Sequence, residues 1–74
     1  MKSGDHVKFL GCTSEQIHWG SNDNPNPLLF IGDVYYVEHV YVHSQHTKIE
    51  LRGLPGKKFN SVCFEVTDDP RRNA

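Results

Sequence analysis

The sequence lacks the motifs by which most enzymes and metal proteins are identified. Its two cysteines, Cys12 and Cys63, lie far apart and form no C-x-x-C pair. No glycine-rich phosphate loop, metal-ligand cluster or catalytic signature occurs in it either. We therefore expect no catalytic residue, no metal ion, no cofactor and no enzymatic activity.

The chain also lacks a long uninterrupted hydrophobic run. Asp33 and Glu38 break the longest apolar stretch, and the segment Met1–Asp5 carries no apolar signal region. Neither membrane insertion nor secretion is predicted, and a cytoplasmic location is expected. A 36% apolar content with a net charge of −1 is typical of a globular chain. Its 74 residues allow one small domain.

The two cysteines can be free thiols or form one disulfide, depending on the redox state of their compartment. A reducing cytosol favours free thiols, and we expect Cys12 and Cys63 to act as small hydrophobic side chains. Their spacing does not exclude a bridge, because strands near the two ends of a small barrel often pair. The choice between thiols and disulfide stays open at this level.

The apolar residues that are present favour β-structure. The run from Leu28 to Val42 is β-branched and aromatic, and it predicts a long strand from Val34 onward, entered through a turn at Gly32. Three shorter segments predict strands, namely His6–Leu10, Thr47–Leu51 and Lys57–Phe59. Asn60–Cys63 predicts one helical turn, and Phe64–Val66 predicts the last strand. Alternation within the strands predicts a core of Phe9, Tyr35, Val37, Tyr41, Ile49, Leu51 and Phe64. The fold class is therefore all-β.

Two polar segments separate these strands. Residues 13–27 have turn composition throughout and predict a long loop without regular structure, while residues 43–47 form a polar turn. Irregular loops of this length are uncommon in compact domains and often bind a partner. We expect function to reside in these two segments.

The order of elements resembles the small five-stranded SH3-like barrel, with a long first loop and a short 3-10 turn before the last strand. The resemblance is closest to short, mostly uncharacterised bacterial and phage proteins. It is carried by four segments, namely Val7–Cys12, Leu29–Val37 with Gly32 and Tyr35, Ile49–Leu51, and Phe59–Val66 with Phe64. It implies a single domain over residues 1–67, a flexible tail over 68–74, and two loops that flank one groove. It implies no catalytic residue.

A protein-binding module is the function that this resemblance and the loop composition favour, with a host factor as the partner if the gene comes from a phage. The candidate binding residues are Trp19, Asn22, Asp23, Asn24, Tyr36, His43 and His46. Trp19 and Tyr36 could form one exposed aromatic patch of the kind found in interface hot spots. Alternatively, Trp19 folds back and caps an open end of the barrel.

Two other functions stay open. The basic residues Lys48, Arg52, Lys57 and Lys58 could bind nucleic acid, although charged edge strands also prevent aggregation and the net charge of −1 opposes phosphate binding. A pocket for a small nucleotide or metabolite would use the aromatic and histidine side chains. The five histidines lack converging ligands for a metal site. The oligomeric state is not predicted.

Overall fold

A computed structural model describes residues 1–69 of the chain, so most of the predicted tail lies outside the described residues. The elements are β1 (His6–Phe9), α1 (Ser14–His18), β2 (Val34–Val42), β3 (Thr47–Leu51), β4 (Phe59–Asn60), a 3-10 turn (Ser61–Cys63) and β5 (Phe64–Thr67). Neither of the helical segments within residues 1–69 is long and apolar enough to cross a membrane. All five predicted strands are present.

The strands form one antiparallel sheet in the order β4-β3-β2-β1-β5. The sheet is not closed into a barrel, because β4 and β5 stand at opposite edges and do not pair within the described residues. β4 contributes only two residues and so offers little backbone for closure. The all-β prediction is confirmed in part, since the protein is mostly β with one short helix, whereas the predicted closed barrel is not observed.

The core lies on one face of this curled sheet. Its buried members include Phe9, Val37, Ile49, Leu51 and Phe64, as the sequence predicted. Four more residues join them: Val7, Leu29, Phe59 and Cys63. Each large side chain removed from water in this way contributes roughly 1.5–3 kcal/mol, which makes this cluster the main source of stability.

A β-bulge in β2 changes which residues reach that core. Val37 pairs with Leu51, but the next pair joins His39 to Glu50, so Glu38 has no residue opposite it. One extra residue reverses the faces of every later side chain. The prediction that Tyr41 faces the core is therefore wrong, and Val40 packs against the core instead.

The polar segment 13–27 contains a helix that the sequence reading missed. α1 begins with a capping box, in which the Gln16 amide N–H donates to Thr13 Oγ1 at 3.1 Å and the Thr13 N–H donates to Gln16 Oε1 at 2.9 Å. At the other end, Asn22 Nδ2 donates to the carbonyls of Gln16, Ile17 and Trp19 at 2.6–3.2 Å. A five-residue helix is unstable alone. It forms here because both ends are capped.

The two cysteines form a disulfide, with their Cα atoms 5.2 Å apart. The expectation of free thiols is therefore wrong. The cause is the pairing of β1 with β5, which sets Phe9 opposite Phe64 and brings the residues beyond them together. The bond joins the segment that precedes α1 to the 3-10 turn that precedes β5.

Candidate binding groove

An apolar groove of about 280 Å³ opens between α1, the β2–β3 turn and the 3-10 turn. We call it the Trp19 groove. Its walls are formed by Glu15, Trp19, Gln45, His46, Thr47 and Val62. Gln16 and Asn60 also line it, and they are linked by a hydrogen bond from Asn60 Nδ2 to the Gln16 carbonyl at 2.9 Å. The groove is thus built from three elements that are distant in sequence.

Trp19 stands at the end of α1, where it is the C-terminal capping residue. Its side chain is 57% exposed, and its indole Nε1 lies 3.5 Å from the Gln45 carbonyl, at the outer limit of a hydrogen bond. The indole therefore leans on the β2–β3 turn while much of its surface stays in water. An aromatic side chain held in this way is available to a partner.

The loop after α1 approaches the β2–β3 turn closely at Gly20. Gly20 has a φ of +84°, and a Cβ atom added to it would lie 2.9 Å from two ring atoms of His46. The turn itself is closed by the His43 N–H, which donates to the His46 carbonyl at 2.8 Å, and the two imidazoles stack 4.6 Å apart. The glycine therefore allows the two predicted binding segments to meet.

The surroundings of His46 favour its neutral form at neutral pH. Partial burial lowers the pKa of His46, and the charges of His43 and Lys48 lower it further. The ammonium group of Lys48 donates to the Ser21 carbonyl at 3.2 Å. Glu15 places one carboxylate on the wall of the groove. The groove thus presents a neutral imidazole beside an indole.

The lowered pKa of His46 predicts that acid weakens the fold. Because the unfolded chain binds the proton more readily than the folded protein, stability present above pH 6.5 is lost as the pH falls through the lower folded pKa. Thermal unfolding followed by circular dichroism from pH 7.5 to pH 5 should show a falling melting temperature. The slope should flatten in His46→Gln and persist in His39→Gln, an exposed imidazole outside the groove. An unchanged slope in His46→Gln would contradict the assignment.

The polar candidates of the first loop hold the loop in place. Asn22 caps α1 through its amide. Asp23 is joined to Lys58 by two bonds, since the Asp23 N–H donates to the Lys58 carbonyl at 2.9 Å and the Lys58 N–H donates to Asp23 Oδ2 at 2.8 Å. Asn24 Oδ1 accepts from the Asn26 N–H at 3.0 Å. These side chains shape the loop, and none of the three lines the groove.

Tyr36 does not form the predicted patch with Trp19. Its ring contacts His6 edge to face at 5.5 Å, and the Arg52 guanidinium lies 3.8 Å above it. It sits near the start of β2, roughly 20 Å along the strand from the turn that carries His43 and His46. The structure therefore groups Trp19 with the two histidines and places Tyr36 elsewhere.

The four basic candidates contact different neighbouring groups. Arg52 stacks on Tyr36 and pairs with Glu38 at 3.3 Å, and the Lys58 ammonium lies 4.3 Å above the Tyr41 ring. Lys48 is bonded to the Ser21 carbonyl, and Lys57 is exposed in the β3–β4 turn. The four cations therefore contact different groups and do not form one cluster.

Tyr41 and Glu50 form a polar pair on the outer face of the sheet. Tyr41 Oη donates to Glu50 Oε1 at 2.9 Å, and this hydrogen bond, together with partial burial and the charge of Glu50, raises the pKa of Tyr41. The pair occupies the side of β2 and β3 that the bulge turns away from the core. It explains why a tyrosine is tolerated there.

Several residues of the groove were not predicted from the sequence. Glu15 and Gln45 are polar residues in segments read as loops, and Val62 was placed in a helical turn without a role. One signal was available, because Thr13 followed three residues later by Gln16 is a capping-box spacing that predicts a helix start. Recognising it would have placed Glu15 and Trp19 on one short helix.

These features define a small, mostly β protein with one open antiparallel sheet and an apolar groove beside an exposed tryptophan. A family model described as Bacteriophage T4 protein Y07B matches residues 21–73. The match covers more than two thirds of the chain, which therefore belongs to that family. It names a phage family and no SH3-like family. Neither a curated protein nor a solved structure matches the chain.

Proposed function

We propose that this protein is a non-catalytic binding module that accepts an apolar side chain of a partner protein in the Trp19 groove. The observation that carries the proposal is the exposed indole, which is held at the rim of an apolar cavity. Tryptophan is enriched among the residues that contribute most to protein interfaces. Its large apolar surface gains free energy when a partner covers it.

The groove is organised before any partner arrives. The capping box and the Asn22 amide fix α1, and the contact between Gly20 and His46 fixes the opposite wall. Binding to a preformed surface costs less conformational entropy than binding to a mobile loop. This rigidity supports recognition by the groove.

The size of the groove is consistent with a protein partner. Its volume of about 280 Å³ suits one or two side chains. This volume lies at the lower end of the roughly 300 to 1,000 Å³ that is usual for drug-sized ligands. Nucleic-acid binding has weaker support, because three of the four basic candidates already engage other groups.

The phage family supports a host protein as the partner. We further propose that the fold is an SH3-like arrangement left open between β4 and β5. The strand order β4-β3-β2-β1-β5 and the 3-10 turn before β5 support this relationship. In such an arrangement the first loop and the β2–β3 turn flank one groove, as α1 and that turn do here.

Replacing the indole tests the proposal. We expect Trp19→Ala to weaken capture of a host protein from bacterial lysate by about 30-fold, the effect of losing an interface hot spot. Tagged wild-type protein, Trp19→Ala and Phe30→Ala should be compared with and without nuclease by quantitative mass spectrometry. Phe30 is the matched control, since it is 73% exposed and lies outside the groove.

Three results would contradict the proposal. Equal capture of the same protein by wild type and Trp19→Ala would show that another surface binds it. Captured material that disappears after nuclease treatment would move the assignment to nucleic acid and to the basic residues. Loss with Phe30→Ala and retention with Trp19→Ala would place the interface at the exposed tip of residues 28–31.

A further inference from the structure

We propose that the Cys12–Cys63 disulfide is a redox lock on the Trp19 groove: reduction frees α1 from the sheet and dismantles one wall. The inference rests on the proposed function, because it names the regulation of the same site. It is carried by the position of the bond relative to the groove and by the weak attachment of α1.

The disulfide connects two walls of the groove. Cys12 immediately precedes Thr13, the residue that caps the start of α1, and Cys63 immediately follows Val62, which lines the opposite wall. Gln16 Oε1 of the helix lies 3.6 Å from the Cys63 sulfur. The bond therefore runs beneath the helix that carries Glu15 and Trp19.

The other contacts that hold α1 on the sheet are individually weak. None of its residues is fully buried, although Gln16 and Ile17 are half-buried. The polar ties of α1 and the loop after it are the bond from Asn60 Nδ2 to the Gln16 carbonyl, the paired bonds between Asp23 and Lys58, the bond from the Lys48 ammonium to the Ser21 carbonyl, and the contact of the Trp19 indole with the Gln45 carbonyl. Each such bond contributes only about 0.5–1.5 kcal/mol net. The covalent bond is the strongest tie.

The two ends of the bond differ in burial. Cys63 is 1% exposed, whereas Cys12 is only partly buried, so we expect a thiolate to attack at Cys12 rather than at Cys63. A dithiol reductant attacks Cys12 Sγ, the S–S bond breaks, and its electron pair goes to Cys63 Sγ, which takes up a proton. The second thiol of the reductant then attacks the mixed disulfide, releasing Cys12 as a thiol and leaving the reductant as a disulfide.

The surroundings make the lock reversible. The Asn26 side chain clamps the backbone of Cys12, since the Cys12 N–H donates to Asn26 Oδ1 at 3.1 Å and Asn26 Nδ2 donates to the Cys12 carbonyl at 2.7 Å. The Leu10 N–H also donates to the Cys63 carbonyl at 2.8 Å. The Leu10 bond does not depend on the disulfide, and it keeps the chain two residues before Cys12 beside Cys63, so the two thiols can meet again for reoxidation by a disulfide compound.

Trp19 is the single tryptophan of the chain, so its fluorescence reports on the groove without any partner. We expect reduction with dithiothreitol at 15 °C to raise acrylamide quenching of Trp19 at least two-fold. Amide hydrogen exchange over residues 13–22 should accelerate at least ten-fold, while β1, β2 and β3 stay folded and remain clearly more protected than residues 13–22. The variant Cys12→Ser with Cys63→Ala should show the quenching and exchange of the reduced protein, and dithiothreitol should change neither.

Unchanged quenching and exchange after reduction would overturn the lock. Strands whose protection falls to the level of residues 13–22 would also overturn it, because reduction would then unfold the whole protein rather than release α1. The fluorescence result stands even if no partner is found, which separates it from the proposed function. A partner captured equally by oxidised and reduced protein would refute the lock and leave protein binding intact.

Discussion

Replacing the disulfide through Cys12→Ser together with Cys63→Ala should lower the free energy of unfolding by about 4 kcal/mol. The two cysteines are 51 residues apart in sequence, so the bond closes a long loop in the unfolded chain. Constraining a loop of that length is worth about 4 kcal/mol in the chain-entropy description. Domains of this size have roughly 4–11 kcal/mol in total. The loss is therefore a large share of the stability.

Urea unfolding at 15 °C, followed by far-ultraviolet circular dichroism, measures this effect. Alanine is chosen at position 63 because the buried core there would not accept a hydroxyl, whereas serine suits the partly exposed position 12. Wild-type protein in dithiothreitol is the matched control and should unfold at a similar urea concentration. A variant as stable as the oxidised wild type would show that the bond contributes nothing to the fold.

The strands could be predicted from the sequence because their signals are local. The β-branched and aromatic run from Val34 to Val42 and the alternation in β3 mark half-buried strands without reference to the rest of the chain. The turn before β5 was also readable. Asn60 caps it by accepting a hydrogen bond from the Val62 N–H, as asparagine commonly does.

Two predictions failed, the irregular structure of the first loop and the core position of Tyr41, because the local hydrophobic pattern did not reveal the structure there. α1 buries no residue, so it has no apolar periodicity, and it depends on side-chain caps instead. The bulge at Glu38 leaves the alternation of β2 intact as a sequence pattern while reversing its faces in space. Tyr41 was assigned to the core for that reason.

The disulfide and the groove depend on contacts between distant segments. Pairing of β1 with β5 sets the two cysteines side by side, and no spacing rule reveals it. The prediction that residues 13–27 and 43–47 share one surface did identify the segments that meet at Gly20 and His46. Sequence reading could not show which of their residues would be used to hold the loops and which would stay exposed.

The close approach at Gly20 leads to the second large expected effect. Gly20→Ala should lower the free energy of unfolding by roughly 2–3 kcal/mol and reduce partner capture by at least ten-fold. About 1–2 kcal/mol comes from placing a side chain at a left-handed φ of +84°. The remainder comes from the new Cβ, which must push the His46 imidazole away from its stacked position on His43.

Gly53→Ala separates these two causes. Gly53 has a φ of +90°, but a Cβ added there meets nothing within 4 Å, so it carries the same backbone strain without a collision. We expect Gly53→Ala to lose stability by the strain alone and to keep both partner capture and the quenching of Trp19 fluorescence unchanged. Equal behaviour of the two variants would mean that the imidazole moves aside freely and that the walls of the groove tolerate a wider gap. If Gly20→Ala changes stability, partner capture and the quenching of Trp19 fluorescence more than Gly53→Ala does, the contact between the two loops is required for binding.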